Sequence, residues 1–495
     1  MNEIWLHDQI AGLLDFALAS VAEEGGFGWL DDEGQIDRSQ ERPLWLTCRM
    51  THVAAIGTLL GHPGCREALD HGIEALRTVF HDDEYGGWYS QIDWESNPSD
   101  DTKAAYPHAF VILASSSAVA AGADALPLFQ EALRVSTTRF WDENDRMVVE
   151  EWDRTFDHLD SYRGVNANMH TVEAYMAAAD VLDALGEASA GEWRERGLDI
   201  AVRVLGEAQA NDWRIPEHFD ARWLPRLEYN RDQPRDPFRP YGATIGHSLE
   251  WVRLCLQLWA SIPHAPSWMP DAAMALYDRG LTDGWAVDGH DGFVYTTDWN
   301  GAPIVHERMH WVVAEAIGAS WALGRAGLVD TSADLDRWWT YANTYLIDHE
   351  HGSWHHELDR FNKPSSSVWK GKPDVYHALQ ATLLQSLPLT PSIVPALLSL
   401  REDGNYSVSV DDNNGPASAG PTSTQVEGTT SSLVVPSPGK RLRREAQSTP
   451  PCSDGKPQRD SPILRRWDGS PPGAAHGINT DADTDIDVDK TIESW

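Results

Sequence analysis

The apolar residues of the first 400 positions are spaced as in helices rather than strands. Segments 172–185 and 248–259 repeat apolar residues three and four positions apart, which gathers them on one helical face. Short β-branched runs bounded by turns are scarce, and no alternation of strands with helices is visible. The pattern therefore predicts an all-α fold and argues against a Rossmann fold or a TIM barrel.

An internal repeat of about 60 residues runs through this helical region. Turns that combine glycine with aromatic residues occur at 25–29, 85–89, 291–295 and 351–354, the first two 61 residues apart and the last two 60. Weaker versions at 141–145 and 211–213 lie near the missing positions. A unit of this length holds two helices, and six units nearly fill 400 residues. Closing such an array into a ring buries the face that each helix pair leaves open. We predict an (α/α)6 barrel, a six-hairpin toroid with a central cavity.

The pattern changes near residue 400. The following segment is rich in Ser, Thr, Pro, Gly and Asp, with a basic cluster at 440–444, and it has few long apolar patterns. Such a composition does not bury enough apolar surface to offset chain entropy. We predict a barrel domain at 1–398 and a low-complexity, disordered tail at 399–495. The tail's basic cluster fits a partner-binding motif, a simple extension or a shifted reading frame, and the sequence does not choose among them.

The net charge of the chain excludes some classes of partner but does not identify one. The chain has 39 Lys+Arg against 76 Asp+Glu, a formal net charge of −37, which argues against a nucleic-acid partner. No apolar run reaches 18 residues, so no membrane span is expected. The four cysteines are too scattered for a disulfide framework or a zinc site, and the N-terminus shows no signal peptide. We expect a cytoplasmic protein.

Polar residues recur where apolar helices begin. His247 and Glu250 are three residues apart, and His170 and Glu173 repeat that spacing. Two further groups are Asp374, His377 and Gln380 near the end of the barrel region, and Arg49, His108 and Trp311 at other helix starts. Inner helices of a toroid converge on its axis, so these groups can share one cavity. A carboxylate beside a histidine fixes its tautomer, which suits proton transfer near neutral pH.

The sequence also offers candidates for metal binding and for aromatic walls. The dense histidine group at 349–356 overlaps the last aromatic–glycine turn, which indicates an interhelical loop, and no His-Glu-x-x-His sequence is present. We therefore expect no catalytic metal. Trp311 and Trp369 flank polar groups, where they can stack on a sugar or simply pack.

Four segments carry a resemblance to a known family. They are 236–251 (DPFRPYGATIGHSLEW), 369–381 (WKGKPDVYHALQA), 166–170 (NANMH) and 49–52 (RMTH). Over roughly residues 5–390 the chain resembles the N-acylglucosamine 2-epimerase superfamily, in the branch that contains D-mannose isomerases and sulfoquinovose isomerases. The resemblance does not include the tail.

That resemblance implies isomerisation of D-mannose and D-fructose through a cis-enediol, without a metal or a redox cofactor. It implies that His377 moves a proton between C2 and C1, and that His247, oriented by Glu250, opens the sugar ring. It further implies that Arg49 stabilises the enediolate. The remaining residues implied to contact or position the sugar are His170, Asn166, His108, Glu173, Trp311, Glu315, Asp374 and Trp369.

Several alternatives stay open at this point. The same proton transfer serves a sulfoquinovose isomerase, which needs extra cationic or amide contacts near C6, or a sugar 2-epimerase. From other classes, a glycoside hydrolase needs two opposed carboxylic residues, and a sugar-binding ring needs no chemistry. The expected partner is a monosaccharide, with the chain a monomer or a homodimer.

Overall fold

The computed structural model describes residues 3–402. The tail predicted at 399–495 lies almost wholly outside these residues, so it and the domain boundary at 398 stay predictions. Within the described residues there are thirteen α-helices: α1 (Glu3–Leu18), α2 (Leu44–Leu60), α3 (Cys65–Thr78), α4 (Ala105–Ala120), α5 (Leu126–Val135), α6 (Val165–Leu185), α7 (Ala190–Ala210), α8 (Ile245–Ser261), α9 (Met269–Gly284), α10 (His310–Arg325), α11 (Ser332–Tyr341), α12 (Tyr376–Leu384) and α13 (Ile393–Glu402). Two short π-helices, Ser136–Phe140 and Ala342–Leu346, extend α5 and α11.

Six helices form a closed inner ring. Each of α2, α4, α6, α8 and α10 packs on the next even-numbered helix, and α12 returns to α2. Nearly all residues of these helices are buried, which is why their apolar residues are not confined to one stripe. Helices α1, α3, α5, α7, α9 and α11 pack outside the ring and keep a polar outer face. The predicted (α/α)6 barrel is confirmed.

Short antiparallel strands connect the helices at the end of the ring where the inner helices begin. They are β1 (Arg42–Pro43), β2 (Gln91–Ile92), β3 (Pro98–Asp100), β4 (Lys103–Ala104), β5 (Trp141–Asp142), β6 (Met147–Val148), β7 (Glu151–Trp152), β8 (Arg163–Gly164), β9 (His218–Phe219), β10 (Ala243–Thr244), β11 (Thr296–Thr297), β12 (Pro303–Val305), β13 (Arg308–Met309) and β14 (Glu357–Leu358). Their sheets are β1-β2-β3, β10-β11-β12, β13-β14, β4-β7, β5-β6 and β8-β9. Strands β1, β4, β8, β10 and β13 each run directly into an inner helix, which fixes where that helix starts.

Six aspartate-led turns mark the repeat more regularly than the aromatic–glycine turns do. In each, the aspartate Oδ1 accepts the backbone N–H four residues later at 2.7–3.0 Å. The residue three positions after the aspartate has a positive φ of 57–84°. Such side-chain-to-backbone bonds stabilise a tight turn locally. The aspartates are Asp31, Asp93, Asp153, Asp220, Asp298 and Asp359.

The far end of the ring is covered by α13, which contacts α2, α4, α6 and α12. The backbone N–H of Ser392, just before this helix, donates to Asp180 on α6 at 2.7 Å. No helix within residues 3–402 has both the length and the apolar character needed to cross a lipid bilayer. The sites that the sequence predicts therefore belong at the open end, where the inner helices begin.

Candidate active site

A cavity of about 660 Å³ opens at the N-terminal ends of the inner helices. The first turns of the six inner helices meet there because each helix starts at the same end of the ring. Nine of the twelve predicted site residues line this cavity: Arg49, Asn166, His170, His247, Glu250, Trp311, Trp369, Asp374 and His377. The other three, His108, Glu173 and Glu315, lie outside it.

His377, in the first turn of α12, is held from behind by a carboxylate. Its Nδ1–H donates to Glu315 Oε1 at 3.0 Å, so Nε2 is the nitrogen left to act in the cavity. Burial lowers the pKa of His377 well below 6.5, which keeps the ring neutral. The ring of Trp311 lies beside it, with centroids 5.9 Å apart. This geometry is that of a base with a fixed tautomer.

His247, in the first turn of α8, has a different partner from the one expected. Its Nδ1 lies 3.0 Å from Glu217 Oε1, in the residue just before β9. The expected orienting residue, Glu250, instead accepts a hydrogen bond from Arg253 at 3.1 Å. Spacing places Glu250 on the same helical face as His247, but Arg253 lies one turn further along that helix and engages the carboxylate. The expectation that Glu250 orients His247 is therefore corrected to Glu217.

Arg49 supplies the positive charge of the cavity. Its guanidinium donates to Asp374 Oδ2 at 3.1 Å and to the Tyr106 hydroxyl at 3.0 Å, while its Nε–H has no protein acceptor. It also lies over the rings of Phe110 and Tyr376, 4.6 and 4.8 Å from their centroids. Burial opposes ionisation of Asp374, but Arg49, the two neighbouring histidines His377 and His310, and the Tyr376 backbone N–H together lower the pKa of Asp374. The pair thus fixes a guanidinium in a low-dielectric wall, where it can stabilise developing negative charge.

His170 and Glu250 line the cavity, and Glu173 lies directly behind them. His170 Nδ1 lies 3.6 Å from Glu173 Oε2 and 3.9 Å from Glu250 Oε1, and burial lowers the pKa of His170 to about 4. The ligand-capable atoms of these three side chains lie within 4.8 Å of one another. The Arg253 guanidinium, however, donates to both carboxylates at 3.1 Å. A guanidinium thus already occupies one oxygen of each carboxylate, and we assign no metal to this cluster.

His108 is a correction to the predicted substrate-binding set. Its Nδ1–H donates to Ala104 O at 2.7 Å, and its Nε2 accepts the backbone N–H of Trp88 at 3.2 Å. Both ring nitrogens are therefore used by the backbone. The residue that α4 directs into the cavity is Tyr106, two positions earlier and about 200° away around the helix. Glu173 and Glu315 stand behind the lining, next to His170 and His377.

Aromatic rings surround the mouth of the cavity. Trp369 is stacked on Trp29, with centroids 6.0 Å apart, and meets Trp45 and Phe238 edge to face. Phe238 comes from the long connection between β9 and β10 and is 39% exposed. Flat apolar rings of this kind suit the C–H faces of a sugar.

Sequence reasoning missed several lining residues, namely Trp45, Tyr106, Phe238, Tyr295, His310 and His356. The rings of His310 and His356 are stacked, with centroids 3.8 Å apart, and His356 Nε2 bonds to Asp374 O at 2.9 Å. His310 directly precedes Trp311 at the start of α10, so its position at a helix start could have been recognised from the sequence. His356 belongs to the histidine group at 349–356, which does lie in an interhelical connection, as expected, but contributes this side chain to the cavity.

Comparison with known proteins identifies the family and its relatives. Residues 25–381 match the N-acylglucosamine 2-epimerase family. The chain is 45% identical over 403 residues to a D-mannose isomerase of Thermobifida fusca, covering 81% of this chain and 98% of that protein. It is 43% identical to a D-mannose isomerase of Pseudomonas cannabina pv. alisalensis, with 80% and 95% covered. A crystal structure of a D-mannose isomerase superimposes with a TM-score of 0.71 at 26% identity, covering 77% of this chain and 97% of that one.

Proposed function

The chain belongs to the N-acylglucosamine 2-epimerase family, and we propose that it interconverts D-mannose and D-fructose. The observation that carries the proposal is a pair of buried histidines facing one cavity, each held at Nδ1 by a glutamate. These are His377 with Glu315 and His247 with Glu217. Relatives at 43–45% identity that bear the name D-mannose isomerase support the same reaction.

The proposed steps move one carbon-bound proton. His247 opens the sugar ring by proton transfer at the ring oxygen and the C1 hydroxyl. His377 Nε2 then takes the proton from C2, and the electron pair forms the C1–C2 double bond as charge develops on O1. Arg49 stabilises that charge. His247 delivers a proton to O1 and then takes the proton from O2, which becomes the C2 carbonyl as His377 returns its proton to C1.

The remaining lining residues fit supporting roles in this proposal. Asn166 and His170, which line the cavity from α6, are proposed to contact substrate hydroxyls, and Asp374, bonded to Arg49, to orient its guanidinium. Trp311 and Trp369 offer ring faces to the sugar. No step needs a metal ion or a redox cofactor, since the proton lost at C2 is regained at C1.

A neutral sugar fits the cavity better than a sulfonated one. Among the described residues that line the cavity, Arg49 is the only arginine or lysine. It is already paired with Asp374. A sulfonate group at C6 is best bound by an arginine or lysine of its own, and the lining contains no second one among the described residues. This observation favours D-mannose over sulfoquinovose.

Product analysis tests the proposal. The full-length protein is incubated with D-mannose in excess EDTA, and the sugars are separated by chromatography. We expect D-fructose; D-glucose, the C2 epimer, would indicate a 2-epimerase, and unchanged mannose would contradict the proposal. Sulfoquinovose is tested in parallel at the same enzyme concentration.

Two variants test the assigned histidines. His377→Ala and His247→Ala should each lower kcat by about a hundredfold or more, the usual contribution of a general acid or base. His108→Gln is the matched control, because His108 is equally buried in an inner helix but bonds only to backbone. A near-normal kcat in either alanine variant, with folding confirmed by circular dichroism, would remove its assigned role.

A further inference from the structure

One arginine links the glutamates beneath the cavity. Arg253 on α8 is 1% exposed and donates to Glu173 Oε1 on α6 at 3.1 Å and to Glu315 Oε2 on α10 at 2.9 Å. It also donates to Glu250 Oε1 on its own helix at 3.1 Å and to Gln257 Oε1 at 3.3 Å. A single guanidinium thus serves carboxylates from three inner helices.

Two of these glutamates lie behind the cavity lining and use their other oxygen to approach its histidines. Glu315 Oε2 accepts from Arg253 Nε–H, while Oε1 accepts from His377 Nδ1–H and, at 3.4 Å, from a second Arg253 nitrogen. Glu173 uses Oε1 for Arg253, while its Oε2 accepts the Tyr376 hydroxyl and lies 3.6 Å from His170 Nδ1. No hydrogen bond joins Arg253 to His377 or His170, but Arg253 holds the acceptor of His377 and the carboxylate next to His170.

The charges around Glu315 show that Arg253 favours the ionised form of this carboxylate. Three buried carboxylates repel one another, and the groups that face Glu315 are Arg253, Glu250, Glu173, His170 and His377. Burial raises the pKa of Glu315, and Arg253 opposes that rise. Without the guanidinium, Glu315 would take up a proton at higher pH. A protonated Glu315 no longer secures the Nδ1–H tautomer of His377, and a proton on Nε2 would block the base.

We propose that Arg253 is a positioning residue of the isomerase: it holds Glu315 as an anionic acceptor, so that His377 presents a fixed ring nitrogen to the sugar, and it holds the Glu173 carboxylate beside His170. The inference rests on the proposed isomerisation of mannose. The guanidinium orients the carboxylates that bond to the histidines, as outer-shell partners do in metal sites.

The test compares Arg253→Gln and Arg253→Lys with wild type on D-mannose over a range of pH. In Arg253→Gln we expect kcat to fall at least about thirtyfold with KM changed less than threefold. Glu315 must be ionised for activity, so the acid limb of kcat/KM should shift by about one unit or more to higher pH. Arg253→Lys restores a charge and should return the limb toward wild type.

The control is Arg214→Gln. Arg214 is also buried and pairs through two bonds with Asp283, but neither residue lines the cavity. This variant should lose stability while keeping the position of the acid limb. If Arg253→Gln is folded and keeps either kcat or the acid limb of wild type, the inference is overturned.

Folding losses do not leave the question open. If Arg253→Gln is not recovered folded, Arg253→Lys decides the question. A lysine amine makes fewer hydrogen bonds than a guanidinium, so the acid limb of kcat/KM should lie at measurably higher pH than in wild type. An unchanged acid limb overturns the inference. If the wild-type protein itself yields no fructose, the proposed function fails, and that result is distinct from a wild-type profile in the variants.

Discussion

Glu217 provides the sharpest test of the site geometry, because the sequence pointed to a different residue. Glu217→Gln keeps the size of the side chain and removes its charge from the 3.0 Å contact with His247 Nδ1. A hydrogen bond to a charged partner contributes about 1.5–3 kcal/mol, and its loss matters when His247 becomes an imidazolium during proton transfer. At about 1.4 kcal/mol per tenfold, kcat should fall roughly 10- to 150-fold.

The assay measures kcat and KM for conversion of D-mannose to D-fructose, together with the imidazole nitrogen signals of His247 by NMR. We expect KM to change little, because Glu217 does not line the cavity. Glu150→Gln is the control, since Glu150 is a buried glutamate that also lies outside the cavity and faces Arg239 at 3.8 Å. The reasoning is refuted if Glu217→Gln stays within twofold of wild type, or if Glu250→Gln alone alters the His247 tautomer.

Three further predictions concern packing, pH and the tail. Gly246→Ala should raise KM and lower stability, because an added Cβ would lie 2.0 Å from the Trp311 ring. Gly206→Ala on the outer helix α7, where an added Cβ would have no atom within 4 Å, should stabilise the fold by about 0.5–1 kcal/mol. Equal effects of the two variants on the urea midpoint would contradict this. Burial lowers the pKa of seven buried histidines of the described residues, to about 4 for His52 and His170. Between pH 6.5 and about 4 the unfolded chain therefore binds protons that the folded chain does not. These histidines outnumber the buried glutamates with raised pKa values, Glu150, Glu250 and Glu315, which act in the opposite sense, so the urea midpoint should be lower at pH 5.5 than at 7.5; a flat profile would count against it. Removing residues 403–495 should leave kcat within about twofold of the full chain, and loss of active protein would show that the tail is needed.

The architecture could be predicted from the sequence because it depends on local patterns. Helical periodicity and a repeat near 60 residues are properties of neighbouring positions, and they indicated six hairpins that the structure confirms. The family was also predicted from short motifs and is confirmed. Helix-start residues such as Arg49, His247 and His377 could be placed at the cavity because ring closure brings all inner N-termini together.

The partners of those residues could not be predicted in the same way. Spacing along a helix gives the direction of a side chain relative to its own axis, and it correctly grouped His247 with Glu250 on one face. It does not say what a neighbouring element offers: His247 binds Glu217, 30 residues away, and His377 binds Glu315, 62 residues away.

What the sequence determined by itself was the repeating unit, the ring and the chemical types of residue at its open end. Tertiary structure decided which carboxylate serves which histidine, and it turned His108 toward backbone partners while Tyr106 entered the cavity. It also brought three glutamates to one arginine. The physical reason is that helix formation is governed by contacts a few residues apart, whereas hydrogen bonds and ion pairs in a buried site depend on distances between helices that only the packed ring fixes.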